Sequence, residues 1–414
     1  MENRNAAIIV IGDEILLGRV NDTNSGFIAR HLDAEGYKTV SVNTVGDKPD
    51  DIRSVIETAF EHAKLIFTTG GLGPTKDDIT KQVLTEIFGG EPVRNEEVIQ
   101  NIQKVFAGRG LKLNELTLNQ AVVPSSADII QNIYGTAPIM VFRKDGKTLV
   151  SMPGVPYEME GMLTSVMEYL KTTESVNHEI KHATRIITGI SESALAMRLT
   201  DFEDNLPAQY KLAYLPDSPV IKLRLDCFGE GKDFEDYIAL LDKNLAAIEN
   251  LCILGEGEKT LAQIVVETLE AKGLTLSTAE SCTGGNIAHE ITSVAGSSAV
   301  FNGSVVSYAN SAKVNVLDVG KDTIDENGAV SRPVVLQMAE GVARVMQTDC
   351  AISTSGIAGP TGGTSEKPVG TVWIAVKTPQ KIIAKCHFLP GKRQHVIRRA
   401  TACALIMLLQ QLKD

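Results

Sequence analysis

Leu65-Ile66-Phe67-Thr68-Thr69-Gly70-Gly71-Leu72-Gly73-Pro74-Thr75-Lys76-Asp77-Asp78-Ile79-Thr80 decides the fold class of the N-terminal part of the chain. The apolar run up to Thr69 reads as a buried strand. The glycines break it, and Val83, Leu84, Ile87 and Phe88 continue as the apolar face of a helix. Upstream, Ile52, Val55, Ile56, Ala59 and Phe60 have helical spacing between Asp50 and Ala63, and Lys38 to Val45 reads as a strand. Before these, Phe27, Ile28, His31 and Leu32 form a helix stopped by Gly36, and Ile8 to Ile11 form a first strand. Strands joined by helices of this length require parallel crossovers, so residues 1–170 are expected to form a doubly wound α/β domain.

Downstream, polar residues 171–177 suit a linker, and 175–252 reads as a small α+β segment. Its cues are a strand at Thr184 to Thr188, a helix near Ser193 to Asp201, a strand from Val220 to Phe228 and a helix from Phe234 to Glu249. Gly255-Glu256-Gly257-Glu258 marks a second seam, beyond which 257–414 returns to an α/β pattern. There the strands Leu274 to Thr278 and Asp349 to Ser355 each run into a loop rich in Gly, Ser and Thr, and a final helix begins near Arg393.

The 414 residues exceed one ordinary core, and 43% hydrophobic with 22% charged content is that of a globular protein. A formal charge of −11 repels phosphate backbones, so no direct nucleic-acid ligand is expected, although backbone N–H groups and an arginine can hold a small anion. The six cysteines are scattered without a C-x-x-C pair, as in a reducing compartment. No signal peptide and no long apolar run is read, so a cytoplasmic protein without membrane contact is expected.

Two Gly-, Ser- and Thr-rich loops at strand ends can offer backbone donors to an anion, with Arg393 at the start of the last helix as a cationic partner. Tight packing of turn on helix is the alternative reading. Amide hydrolysis by a hydroxyl needs a base, and neither His289 nor His395 has triad-like company. Tyr308 followed by Lys313 offers another solution, since a desolvated lysine can act as the base. A solvated helix lysine is the competing reading. Residue types do not choose between Ser281 and Ser298 as nucleophile, and Cys282 competes with both or is a structural thiol.

Ala279 to Gly285, Gly296-Ser297-Ser298, Tyr308 to Lys313, Gly328-Ala329-Val330-Ser331 and Ser355 to Gly363 with Glu366 to Thr371 together resemble the CinA family over the whole chain. The resemblance implies that 257–414 is a deamidase of nicotinamide mononucleotide, needing no cofactor and releasing nicotinate mononucleotide and ammonia. It implies Ser298 as nucleophile, Tyr308 and Lys313 as its activating pair, and Ser281, Thr283, Gly284, Gly285, Ser355, Gly356 and Arg393 as substrate contacts. Lys392 stands where the family usually has aspartate.

In the N-terminal segment, Gly70, Gly71, Gly73 and Thr75 could cradle a diphosphate. Asp77 and Asp78 complement a helix dipole or, with Asp13, hold a divalent metal ion. With Asn21 to Asn24 and Met152 to Met159, this block is similar to the molybdopterin-binding-like (MoaB/MogA-like) domain of the same family, which implies metal-dependent hydrolysis of ADP-ribose. A pterin- or partner-binding scaffold is the alternative, favoured by Ile139 where the family usually has glycine in what is read as a substrate loop. The family also implies a homodimer and a KH-like middle domain. That domain lacks the G-x-x-G clamp for RNA between Lys181 and Asn250, and His178 to His182 matches H-E-x-x-H outside any helix.

Overall fold

A computed structural model describes residues 4–75, 78–173, 180–229 and 231–413. The chain separates into two compact units, Met1–Lys181 with Phe228–Glu230, and His182–Cys227 with Gly231–Asp414.

The first unit is built on a six-stranded sheet. Lys38–Val45, Asn5–Ile11, Leu65–Thr69 and Lys147–Met152 lie side by side and parallel, and Ile139–Lys144 and Ala127–Ile130 complete the sheet antiparallel. Successive side chains leave a strand on opposite faces, and both faces here are apolar. Ala6, Ile8 and Phe67 meet the helices Asn24–Ala34 and Pro156–Thr173, while Ala7, Ile9 and Ile66 meet Pro49–His62 and Thr80–Phe88. The doubly wound expectation therefore holds for the parallel strands. The first strand has sequence neighbours on both sides, so its C-terminal end and that of Leu65–Thr69 open a crevice where the connections diverge.

Ile139 does not stand in a loop. It is the fully buried first residue of its strand, packed with the Asn24–Ala34 and Pro156–Thr173 helices. Its bulk belongs to the core and places nothing in the crevice.

In the second unit, the order Tyr210–Asp217, Val220–Phe228, Ile180–Thr188, Cys252–Glu256 makes a four-stranded sheet, with Glu192–Asp204 and Phe234–Ala246 packed on one face. Ile186, Val220 and Leu254 reach the same core as the final helix, so the stretch 255–258 joins two parts of one unit. His182 lies on the strand Ile180–Thr188, 2.7 Å from Asp226; His178 and Glu179 are outside the described residues.

The remaining sheet runs Phe301–Val306, Leu276–Glu280, Cys350–Gly356, Thr371–Lys377, Ile382–Phe388. Its first three strands are parallel and its last two antiparallel. Leu261–Lys272, Asn286–Thr292 and Arg393–Lys413 cover one face, and Arg332–Met346 with Asn310–Leu317 the other. Leu261–Lys272 begins at a reciprocal Thr260/Gln263 capping box and ends at left-handed Gly273, two terminal signals legible in sequence. Among the described residues no helix is long and apolar enough to cross a membrane.

Candidate active site

Ser281 directly follows the strand Leu276–Glu280, and its N–H extends the ladder to the Thr354 carbonyl at 3.0 Å. The neighbouring parallel strand Phe301–Val306 ends at the same edge, and the helix Asn310–Leu317 then carries Lys313 back over it. The lysine amine donates to the Ser281 Oγ at 3.0 Å, to the Ser307 carbonyl at 2.7 Å and to the Tyr308 carbonyl at 3.4 Å. Lys313 is 1% exposed, and loss of hydration pulls its pKa below the ordinary lysine value.

Ser298 is at the other end of the sheet. It lies in the short turn Ser297–Ala299 that precedes Phe301–Val306, beside the start of Leu276–Glu280, where the Leu276 N–H bonds the Val300 carbonyl at 2.7 Å. A strand rises roughly 3.3 Å per residue, so the length of the strand, on the order of 15–20 Å, separates this exposed serine from Lys313. The expected Ser298–Lys313 pair is therefore corrected to Ser281–Lys313.

Tyr308 supplies its main-chain carbonyl to the lysine, and its exposed phenol accepts a bond from Arg393 at 2.8 Å. The second guanidinium nitrogen of Arg393 donates to the Gly359 carbonyl at 3.0 Å. This arginine thus joins the Tyr308 turn to the second Gly-rich loop.

The loop glycines differ from their expected use. The Gly284 N–H is taken by the Ser281 carbonyl, and the Gly285 N–H by Glu280. Glu280, fully buried, also accepts from Ile287 and Ala288, so its carboxylate occupies the helix start where an external anion was expected. Within Ala279 to Gly285 the sequence alone assigns Glu280 no role. A lone acid at the end of an apolar strand, just before Gly-Gly and a helix, is the signal that could have found it. Thr283 pairs with Thr354 at 2.7 Å, and the Ser355 hydroxyl donates to the Ala329 carbonyl at 2.8 Å, so both are committed internally. Gly356 closes its strand so tightly that a Cβ would stand 2.7 Å from the Thr371 carbonyl. Cys282 is a structural thiol, pushed up to about 12 by burial.

In the first unit, the crevice at the strand ends is a cleft of about 460 Å³, lined by Gly12, Asn24, Asp47, Gly70, Gly71 and Gly73 among others. Gly70 has φ +112, and a Cβ there would lie 2.1 Å from the Ile11 carbonyl, so glycine is needed for the close approach. Asp78 does not point to a metal: its carboxylate accepts from the Gly73 N–H at 2.7 Å and from both the N–H (2.9 Å) and hydroxyl of Thr75. Two of the donors expected to cradle a diphosphate are thus turned inward. Asp13 and Asp47 exchange bonds from their backbone N–H groups to each other's carboxylates. Asp77 lies outside the described residues, and among those described no three His, Cys, Asp or Glu groups converge as metal ligands would. Of the three expected ligands, Asp13 and Asp78 hold backbone N–H groups and Asp77 is not among the described residues.

Residues 258–412 match the family model described as "CinA C-terminal domain", and residues 7–172 match the model described as "Probable molybdopterin binding domain". A "CinA-like protein" of Cytophaga hutchinsonii is 41% identical over 414 residues, 99% of this chain and 98% of its own length. Another, of Flavobacterium psychrophilum, is 39% identical over 410 residues, 98% of both chains. A crystal structure titled as the competence/damage inducible protein CihA from Agrobacterium tumefaciens is 40% identical over 37% of this chain and 94% of its own, with a TM-score of 0.36. With two such relatives matched nearly end to end, the chain belongs to the CinA family.

Proposed function

We propose that the second unit hydrolyses the carboxamide of nicotinamide mononucleotide, with Ser281 as nucleophile and Lys313 as its base. The observation that carries this reading is the buried 3.0 Å contact between the Lys313 amine and the Ser281 hydroxyl. Burial favours the neutral amine, which keeps two N–H groups for the Ser307 and Tyr308 carbonyls and turns its lone pair to the serine proton.

The Ser281 oxygen then bonds to the carboxamide carbon as its proton passes to Lys313. The tetrahedral adduct collapses with cleavage of the C–N bond, and Lys313 returns the proton to the departing ammonia. Water, deprotonated by the same amine, hydrolyses the acyl-serine to nicotinate mononucleotide and frees Ser281. Among the described residues Arg393 donates to two neutral acceptors, and a phosphate dianion is a stronger one, so this guanidinium suits the 5′-phosphate. The test is incubation of the full chain with nicotinamide mononucleotide and measurement of ammonia; no release by the wild-type protein overturns the reading.

For the first unit, the position of the cleft at the strand crossover favours a narrower reading, the binding of a phosphorylated pterin or nucleotide. ADP-ribose hydrolysis is checked directly by AMP release with magnesium, manganese or cobalt ions.

A further inference from the structure

Tyr308 stands just beyond the end of the edge strand Phe301–Val306 and is anchored at two points. Its main-chain carbonyl accepts from the Lys313 amine at 3.4 Å, and its phenol oxygen accepts from Arg393 at 2.8 Å. The residue is nevertheless 61% exposed. Among the described residues no aromatic ring stacks on its own ring and no cation lies over its face. An aromatic ring held in place but left without a stacking partner is a surface on which a ligand can pack.

A molecule that gives its carboxamide to Ser281 and its phosphate to Arg393 must run between those two points. Tyr308 is bonded both to the base that contacts Ser281 and to Arg393, so it flanks that path. In nicotinamide mononucleotide the pyridine ring and the ribose separate carboxamide from phosphate, and the ring carries a positive charge. Glu280, the carboxylate next to Ser281 in sequence, is fully buried and already accepts from three backbone N–H groups, so it offers the ring no contact. An aromatic face attracts a cation through its quadrupole, and more strongly once water is displaced. A neutral ring of the same outline gains only the packing.

We propose that Tyr308 is a specificity-determining residue, which selects a cationic N-alkylpyridinium ring over a neutral one by packing its aromatic face against the substrate. The inference rests on the amidohydrolase reading of this site. It gives Tyr308 a part in recognition, while the base that contacts Ser281 is Lys313.

The experiment uses the full-length chain carrying Ser281→Ala, so that ligands bind without turnover. Calorimetry compares nicotinamide mononucleotide with its 1,4-dihydropyridine form, which keeps the phosphate, ribose and carboxamide but has a neutral ring. The cationic ligand is expected to bind about tenfold more tightly. Adding Tyr308→Phe should keep that preference and adding Tyr308→Leu should abolish it. Both ligands share the phosphate, so any disturbance of Arg393 cancels in the ratio. Equal binding of the two, binding of neither, or a preference that survives Tyr308→Leu overturns the proposal. Where Tyr308→Leu fails to fold, proton NMR of the ligand on the Ser281→Ala protein decides: upfield ring-current shifts of the pyridinium protons are expected, and their absence overturns the proposal. Ammonia release by the wild-type chain tests the reaction separately. Release without a ring preference removes only the role of Tyr308, whereas no release removes the reaction and that role together.

Discussion

The Lys313 amine bonds the Ser281 hydroxyl at the C-terminal end of the parallel strands of the five-stranded sheet, while Ser298 lies at their N-terminal end. Ser281→Ala should therefore lower ammonia release from nicotinamide mononucleotide by about 10³-fold or more, the scale seen when a nucleophile is deleted. Ser298→Ala should stay within a few-fold of wild type. An ammonia assay on both variants, with unchanged far-UV circular dichroism, checks the pair; the reverse ranking defeats the assignment.

The lysine gives this site a pH signature. Only neutral Lys313 can take the serine proton, and burial lowers its pKa, so kcat/KM should rise with pH through a value below that of an ordinary lysine. The stability sign follows from the same shift. Below the folded pKa, burying the charged amine costs the full difference, and the cost fades as pH climbs toward the unfolded lysine value. Lys313→Met should thus be inactive yet gain most over wild type in Tm at neutral pH, with the gain shrinking by pH 10. A constant Tm difference across that range counts against the shift.

How much of this was legible in the sequence differs between fold and site. The strands around Ile8 to Ile11, Leu65 to Thr69 and Val220 to Phe228 are short apolar or alternating runs, and the crossovers between the first of them require a parallel sheet. The strand Tyr210–Asp217 went unread because Pro216 and a mixed pattern hide its partial burial. In the site, residue types pointed to Lys313, but which serine it meets depends on which end of a strand each loop occupies. Ser281 follows its strand and Ser298 precedes one, a distinction that spacing along the chain does not contain. Likewise, of the two glycines read as anion donors, Gly284 is bonded to the Ser281 carbonyl and Gly285 to Glu280, because a buried carboxylate from the preceding strand reaches the helix start first.

Glu280 supports the turn that presents Ser281. Its two oxygens accept from three backbone N–H groups, at 3.0, 3.0 and 2.9 Å. Glu280→Gln keeps the shape but turns an amide toward donors, which should destabilise the second unit by about 1–3 kcal/mol. Urea denaturation measures the loss, and unchanged stability would show that the carboxylate is not holding the helix start.

Ser307 predicts the opposite. Its hydroxyl is fully buried and lacks a hydrogen-bond partner among the described residues, although its carbonyl holds Lys313. Removing an unpaired buried oxygen relieves a desolvation cost, so Ser307→Ala should raise the Tm of the second unit by about 2–4 °C, corresponding to roughly 1 kcal/mol. A fall in Tm would show that the hydroxyl is paired in solution.

Arg393 separates recognition from chemistry. Its guanidinium donates to the Tyr308 phenol and the Gly359 carbonyl, while the Lys313 amine bonds the Ser281 hydroxyl and the Tyr308 carbonyl. A phosphate drawn to it gains charge-assisted bonds that contribute to binding, without touching the carboxamide. Arg393→Ala should then raise KM for nicotinamide mononucleotide about tenfold to hundredfold, the value of one or two such bonds, with a smaller change in kcat. Nicotinamide riboside, which lacks the phosphate, should be turned over equally by variant and wild type. An equal loss on both substrates would place Arg393 with the architecture of the loops, holding Gly359 to Tyr308, and would remove it from phosphate recognition.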